Sequence, residues 1–404
     1  MKIRTMRVLD RLLGVPVCAL LSAWRKLLPR RLHPALPTVR TILFIKLVEQ
    51  GTTVLARPAF AAAVARVGRD NVYCLTLAEN AEILNLLKLI PESNVIAVPG
   101  RSGWSIFLGL ARAIRTVRKL GIDAVVDLEF FARTSAILSF LTGARLRAGL
   151  SPGPGAGPWR GHLLTHPILH QPDLHTAQLY EVLVRSLEVP AELLPALPFC
   201  APPVPRWSEP CYVPEPQAIG RMMQLLGNPD TGESGCRLFI LNANAGDLEP
   251  LRRWPEERYV ELAQRLLAAH PAAIVVFTGS APEAAATAAL AAQVSSSRCR
   301  SLAGRTSLEE LFTLFAICDV LVSNDSGPAH FASLTSASSV VLFGPETPRR
   351  FGPLAVRSLA LSAGLACSPC LSAFNNRRSA CRDNLCLQRI GVEEVLAAVE
   401  SQLH

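Results

Sequence analysis

The chain has 404 residues, half of them hydrophobic, 18% charged and only 6% aromatic, a balance that excludes disorder and leaves room for two domains with sizeable cores. A net charge of +9 asks for an anionic partner: nucleic acid, anionic lipid or a phosphorylated substrate. No basic stripe interleaved with aromatics and no nucleic-acid-binding motif is present, which sets nucleic acid aside.

Much of the charge lies in residues 1–40, where Lys2, Arg4, Arg7, Arg11, Arg25, Lys26, Arg30, Arg31 and Arg40 face Asp10 alone. Leu12–Trp24 is uncharged but only thirteen residues long and broken by Pro16, short of the roughly 20 needed to span a bilayer. No small-x-small cleavage site follows. Residues 1–40 are therefore expected to form a basic amphipathic segment lying in a membrane interface; a helix packed on the protein itself is the alternative.

Thr41–Lys46 reads as a buried strand, followed by a loop at Leu47–Thr53 and a helix over 54–67. In that loop Gly51 allows close backbone approach, Glu49 offers a carboxylate and Lys46 a positive potential. Val72–Leu75, Val95–Val98 and Ala124–Leu128 are further short apolar runs between helical stretches, the alternation of βαβ units on a parallel sheet. Asp127 and Glu129 close the last of them, with Arg133 and Thr134 behind. A first domain over 41–195 is followed by a proline-rich linker over 196–235; residues 190–216 alone hold nine prolines.

The pattern then restarts over 236–390. Leu238–Leu241 is a strand leading into Asn242-Ala-Asn244-Ala-Gly246. Arg252 and Arg253, able to grip phosphate oxygens, precede a helix over Pro255–Ala269. Ile274–Thr278 is a strand followed by Gly279, Ser280 and Glu283 at the start of a helix over 282–294. Leu308–Ala316 is a helix. Asp319–Val322 leads into Asn324-Asp325-Ser326-Gly327, then a short helix carrying His330, then a strand at Ser339–Phe343. Polar specialists crowd the strand's C-terminal end, where an open parallel sheet binds ligands. Ser326 and Gly327 would present backbone N–H groups to an anion such as a diphosphate, Asp325 would accept from sugar hydroxyls, and His330 would face the same ligand. An Asp capping an ordinary helix accounts for the same residues. A helix over 392–402, within residues 391–404, closes the chain.

Eleven cysteines in a chain this long do not form a disulfide framework. Seven are scattered. Cys367, Cys370, Cys381 and Cys386 cluster, and the first pair has metal-ligand spacing, so four thiolates would make a structural zinc site. Reduced thiols or a disulfide fit the same spacing.

The succession ILFIKLVEQGTTVLARPAF, VVDLEFFARTSAILSFLTGARLRAGL, LNANAG with RRWPEERYVELAQRL, VVFTGS, LAGRTSLEELFTLFAICDVLVSNDSGPAH and VVLFGPETPRR resembles glycosyltransferase family 9. This family holds the bacterial heptosyltransferases of lipopolysaccharide core assembly and their relatives. His175, in HTAQLYEVLVRSL, and the CSPC tail resemble it too. The resemblance implies an α/β fold of the GT-B type, two Rossmann-like doubly wound domains facing a central cleft. It implies inverting transfer from a nucleotide-diphosphate sugar, ADP-heptose favoured, with no cofactor required, to a lipopolysaccharide or other lipid-linked glycan. Such an enzyme would be cytoplasmic and peripheral on the inner face of the membrane.

Carried over by position, Arg252, Glu283, Asp325, Ser326, Gly327 and His330 would bind the donor, Arg252 standing where the family usually has Lys; Asn244 and Gly279, in loops at neighbouring strand ends, are expected to join them. Lys46, Gly51, Thr52 and Asp127 are on the acceptor side. The departure is at Thr52, which follows Gly51 where family members carry an Asp, the proposed general base. A Thr hydroxyl cannot take that proton at neutral pH, which leaves Glu49, or secondly Glu129, as the base. A sugar-nucleotide epimerase or hydrolase, and a non-catalytic nucleotide-sugar binder, are the alternatives.

Overall fold

The computed structural model describes residues 8, 10–27, 37–100, 102–227, 236–246 and 250–403. Lys2, Arg4, Arg7, Arg30 and Arg31, part of the basic segment, lie outside the described residues.

The described residues form two compact units. The first comprises Met1–Pro205 together with Ala373–Arg377, and the second Arg206–Ser372 with Arg378–His404. Each is built on a six-stranded, wholly parallel sheet.

In the first unit the strands are β1 (Ile42–Ile45), β2 (Val72–Leu77), β3 (Val95–Val98), β4 (Ala124–Asp127), β5 (Leu146–Ser151) and β6 (His166–Leu169), in spatial order 3-2-1-4-5-6. In the second they are β7 (Leu238–Asn242), β8 (Ile274–Phe277), β9 (Cys299–Ser301), β10 (Val320–Asn324), β11 (Ser338–Phe343) and β12 (Ser358–Ser362), in order 12-11-10-7-8-9. Counted within its own unit, the second repeats the order of the first. It is the doubly wound arrangement, with its reversal between β1 and β4 in one sheet and β7 and β10 in the other.

Central strands such as β1 (ILFI) and β11 (SSVVLF) are buried at every position, as helix layers on both faces of a parallel sheet require. The faces are distinct cores: Phe44, Phe60, Val126 and Tyr180 belong to one side of the first sheet, Leu43, Ile45, Val125 and Val117 to the other. Each fully buried aliphatic or Phe side chain contributes roughly 1.5–3 kcal/mol of transfer free energy.

Two expectations are corrected. The stretch over 54–67 is two helices, Gln50–Leu55 and Arg57–Val67, because the chain turns into a helix at Glu49 and Pro58 starts a second one. The expected loop therefore ends at Glu49 instead of Thr53. Strands β5, β6, β9 and β12 carried no continuous apolar run: β6, β9 and β12 are edge strands, and the inner strand β5 is interrupted by Arg147 and Gly149.

The helix Gly14–Leu27 packs by one face on the first unit. Cys18 is buried with Ala136 and Leu163, Asp10 accepts from the amides of Arg133 and Thr134, and Trp24 lies edge-on to Phe140. Its other face leaves Leu20 and Leu27 exposed, Leu27 at 83%, and Leu12 and Leu13 just before the helix are exposed too. Among the described residues no helix is long and apolar enough to cross a membrane.

Candidate functional site

Ligands of doubly wound sheets bind beyond the strand C-termini where the strand order reverses. The candidate residues fall there in both units.

In the first unit, β1 runs into Lys46, Leu47, Val48 and Glu49, and β4 into Leu128 and Glu129. Glu129 is buried and its Oε1 accepts from the backbone N–H groups of Leu47 (2.7 Å) and Val48 (3.2 Å), while Lys46 Nζ stands 3.4 Å away. Lys46 itself is fully buried and donates to the carbonyl of Val48 at 2.6 Å. Burial raises the Glu129 carboxyl above the usual carboxylate range, with Lys46 pulling the other way. Glu129 is thus a buried brace that shapes the loop.

Asp127 is also fully buried. It pairs with Arg160, accepts from Ser135 Oγ at 2.9 Å and from the Glu129 amide at 3.0 Å. Arg160 spends its other donors on the carbonyls of Ala132 and Leu150. Burial raises the Asp127 carboxyl, Arg160 opposing it. The expected acceptor-side role of Asp127 gives way to a structural one: it ties β4 to the segment around Arg160.

Glu49 differs. It is partly exposed, its backbone is left-handed with φ 69°, and it stands at the start of the helix Gln50–Leu55. Its Oε1 lies 2.7 Å from Arg377 Nη1, and Thr52 Oγ1 lies 3.3 Å from its Oε2. Thr52 is buried, and Gly51 follows Gln50 in the first turn of the same helix. Glu49, Thr52 and the Lys46–Glu129 brace are therefore brought together, with Glu49 as the carboxylate on the open side.

In the second unit the loops after β7 and β10 meet. Asn324, fully buried, accepts from the amide of Trp254 and donates to the carbonyl of Ala243, fastening the RRWP segment to both strands. This hub carried no functional signal in the sequence beyond its place in the NDSG turn. Arg252 donates to the carbonyls of Asp325 (2.9 Å) and Ala245 (3.2 Å) and stands 3.6 Å from the Asp325 carboxylate. Asp325 and His330 are both 5% exposed; Ser326 and Gly327 are partly exposed at the start of the helix Gly327–Ala332.

After β8, a Cβ on Gly279 would meet Asn244 Nδ2 at 2.7 Å, so only glycine admits the approach of Asn244, which donates to Thr278 O and Thr287 Oγ1. Glu283 closes a capping box, its Oε2 accepting from Ser280 N and Oγ. The structure thus brings Arg252, Asp325, Ser326 and Gly327 together and sets Asn244 and Gly279 at the next loop, with Glu283 engaged in its own helix start.

His175 is a capping residue too, its Nδ1 accepting from the Ala177 amide. Among the described residues no group of three or more His, Cys, Asp or Glu is arranged to hold a metal ion, Cys367, Cys370, Cys381 and Cys386 included, and the cysteines are not joined in disulfides.

Residues 231–379, holding the second cluster, match the model of glycosyltransferase family 9 (heptosyltransferase). Over 128 residues the chain is 38% identical to lipopolysaccharide heptosyltransferase 2 of Salmonella typhimurium, covering 31% of this chain and 36% of that protein. The Escherichia coli protein of the same name is 37% identical over 130 residues, 30% of this chain and 37% of the relative. The matched region spans little more than a third of the length of these curated relatives.

The structure of E. coli ADP-heptose lps heptosyltransferase II superimposes with a TM-score of 0.66 at 22% identity, covering 90% of this chain and 98% of that one. E. coli heptosyltransferase WaaC with ADP does so with a TM-score of 0.62 at 18% identity, covering 90% and 99%. At such identities the likeness speaks for the fold, which is the GT-B type. Family model, curated relatives and fold agree: residues 231–379 are similar to glycosyltransferase family 9 (heptosyltransferase), and the chain shares the GT-B fold of the heptosyltransferase structures.

Proposed function

We propose that this chain is an inverting glycosyltransferase that moves a heptose or related sugar from a nucleotide-diphosphate donor, ADP-heptose by preference, to a lipopolysaccharide or other lipid-linked glycan. The observation that carries the reading is the Arg252–Asp325 pair at the reversal point of the second sheet, inside the segment that matches the family. A guanidinium held over the strand ends beside backbone N–H groups is suited to a pyrophosphate. Names of relatives support the donor: one related structure holds ADP, and another is named for ADP-heptose.

In this reading Arg252 swings from the Asp325 and Ala245 carbonyls to the diphosphate. It stabilises the charge that develops as the glycosidic bond to phosphate breaks, and charge stabilisation is assigned to side chains instead of a bound metal. Asp325 accepts hydrogen bonds from sugar or ribose hydroxyls. Glu49 takes the proton of the attacking acceptor hydroxyl, since it is partly exposed whereas Asp127 and Glu129 are buried. Inversion follows from attack on the face opposite the leaving diphosphate.

The acceptor is lipid-linked in this proposal because the helix Gly14–Leu27 presents Leu20 and Leu27 to solvent beside exposed Lys26. An apolar face with a basic flank suits the inner leaflet of a cytoplasmic membrane.

The test is a thermal-shift screen of nucleoside diphosphates and their sugars, followed by turnover of the best donor with truncated lipopolysaccharide. ADP and ADP-heptose are expected to raise the melting temperature. Glu49→Gln is expected to keep that shift and to lower kcat by roughly 10²–10⁴-fold. Donor turnover at full rate with no acceptor would replace the transferase by an epimerase or hydrolase; donor binding without any turnover would leave a binding protein.

A further inference from the structure

Six non-glycine residues among those described have a left-handed backbone: Glu49, Lys88, Phe131, Ser295, Asn376 and Arg377. Four of the six converge on one place in the first unit. Glu49 and Phe131 stand just past the ends of β1 and β4. Asn376 and Arg377 belong to Ala373–Arg377, a short strap from late in the sequence that is counted with the first unit. Left-handed backbone at non-glycine residues persists only where surrounding contacts over-determine it, and it gathers where function needs it.

The contacts are specific. Phe374 packs its ring on Phe131, centroids 5.5 Å apart, and on His170 at 5.1 Å. The Arg377 guanidinium lies 5.6 Å from the Phe130 ring centroid, a cation–π distance. From there Arg377 Nη1 reaches Glu49 Oε1 at 2.7 Å, while Thr52 Oγ1 stands on the other carboxylate oxygen. A flexible glutamate is thereby held at one oxygen by a cation fixed on an aromatic face, with the Thr52 hydroxyl, 3.0 Å from the Glu49 carbonyl, beside the other.

Resting on the reading of Glu49 as the base, we infer that Arg377 is a positioning residue for that base. The strap Ala373–Arg377, anchored by Phe374, delivers the guanidinium that orients the Glu49 carboxylate. The arrangement follows the general logic of an activated base oriented by a third group. It also explains how a loop with Thr at position 52 can work: Thr52 orients the carboxylate that Glu49 supplies. A salt bridge kept for stability alone would not need a strained backbone on both partners.

The experiment compares the full-length parent with Arg377→Gln, Arg377→Lys, Phe374→Ala and Glu49→Gln, using ADP-heptose and truncated lipopolysaccharide for turnover and ADP for thermal-shift binding. Arg377→Gln is expected to lower kcat about ten-fold or more, with KM for ADP-heptose and the ADP-induced shift unchanged, because loss of orientation falls on the chemical step. Arg377→Lys should recover part of the loss, and millimolar guanidinium should partly restore Arg377→Gln. Phe374→Ala should move kcat in the same direction.

Parental kcat in Arg377→Gln beside an inert Glu49→Gln overturns the inference and leaves the base in place. Parental kcat in Glu49→Gln overturns the reading of the base itself. Should Arg377→Gln fail to fold, Arg377→Lys decides: a kcat equal to the parent, or a change confined to KM, overturns the proposal.

Discussion

Lys46 Nζ lies 3.4 Å from Glu129 Oε1, and both side chains are buried. The pair joins the ends of β1 and β4 at the reversal point of the first sheet. Because Glu129 also accepts from two loop amides, it sets the backbone course that leads into Glu49.

Glu129→Gln keeps an acceptor oxygen for the two loop amides and removes the titrating carboxyl, so its stability relative to the parent should depend on pH. Burial raises the Glu129 carboxyl in the folded protein. Its contribution is therefore complete below the unfolded value, about 4.3, and is lost as pH rises through the folded value. Urea titrations at a series of pH values should show the parent's advantage over Glu129→Gln shrinking as pH rises. An advantage that grows instead would mean that the carboxylate is favoured as the ion.

Asp127 and Arg160 form a second buried pair. Asp127→Asn or Arg160→Met alone should each cost about 3–5 kcal/mol, and the double variant markedly less than the sum. Full additivity in a denaturation cycle would show that the two do not act as a pair.

Arg252→Met should weaken ADP binding by about 1.5–3 kcal/mol, the worth of a hydrogen bond to a charged group, and Arg252→Lys by less, since a point charge remains. Isothermal titration with ADP measures both. Unchanged affinity in Arg252→Met would remove the diphosphate from this site.

Gly279→Ala drives a Cβ to within 2.7 Å of Asn244 Nδ2. Displacing Asn244 from Thr278 and Thr287 should cost roughly 1–3 kcal/mol as overpacking, together with a smaller ADP-induced thermal shift. A variant with parental stability and parental shift would show that the Asn244 position is dispensable.

Replacing Leu20 and Leu27 by Ser should leave folding unchanged, as both side chains are exposed, and should reduce co-flotation with vesicles containing phosphatidylglycerol. Equal flotation of parent and variant would count against the membrane-facing role of this helix.

Much of the frame was legible locally. Val95–Val98 was expected as a strand and is one, and the NDSGPAH turn stands at the end of β10 as its polar crowding after an apolar run implied. What escaped was long-range pairing. Asp127 reads as a strand-end acid until Arg160, 33 positions on, neutralises it, and Glu49 reads as a lone loop carboxylate until Arg377 arrives from 328 positions away. The edge strands β6, β9 and β12 escaped for a different reason: an edge strand need not be apolar on both faces, so they carry no run to detect.

The return of Ala373–Arg377 to the first unit has a consequence for synthesis. A ribosome that has delivered Pro205 has delivered every strand of the first sheet but not the strap. At roughly 5–20 residues per second, the nascent half waits some ten to thirty seconds for its last piece. During that interval the aromatic seat at Phe131 and His170 stands open to whatever else in the cell can occupy it.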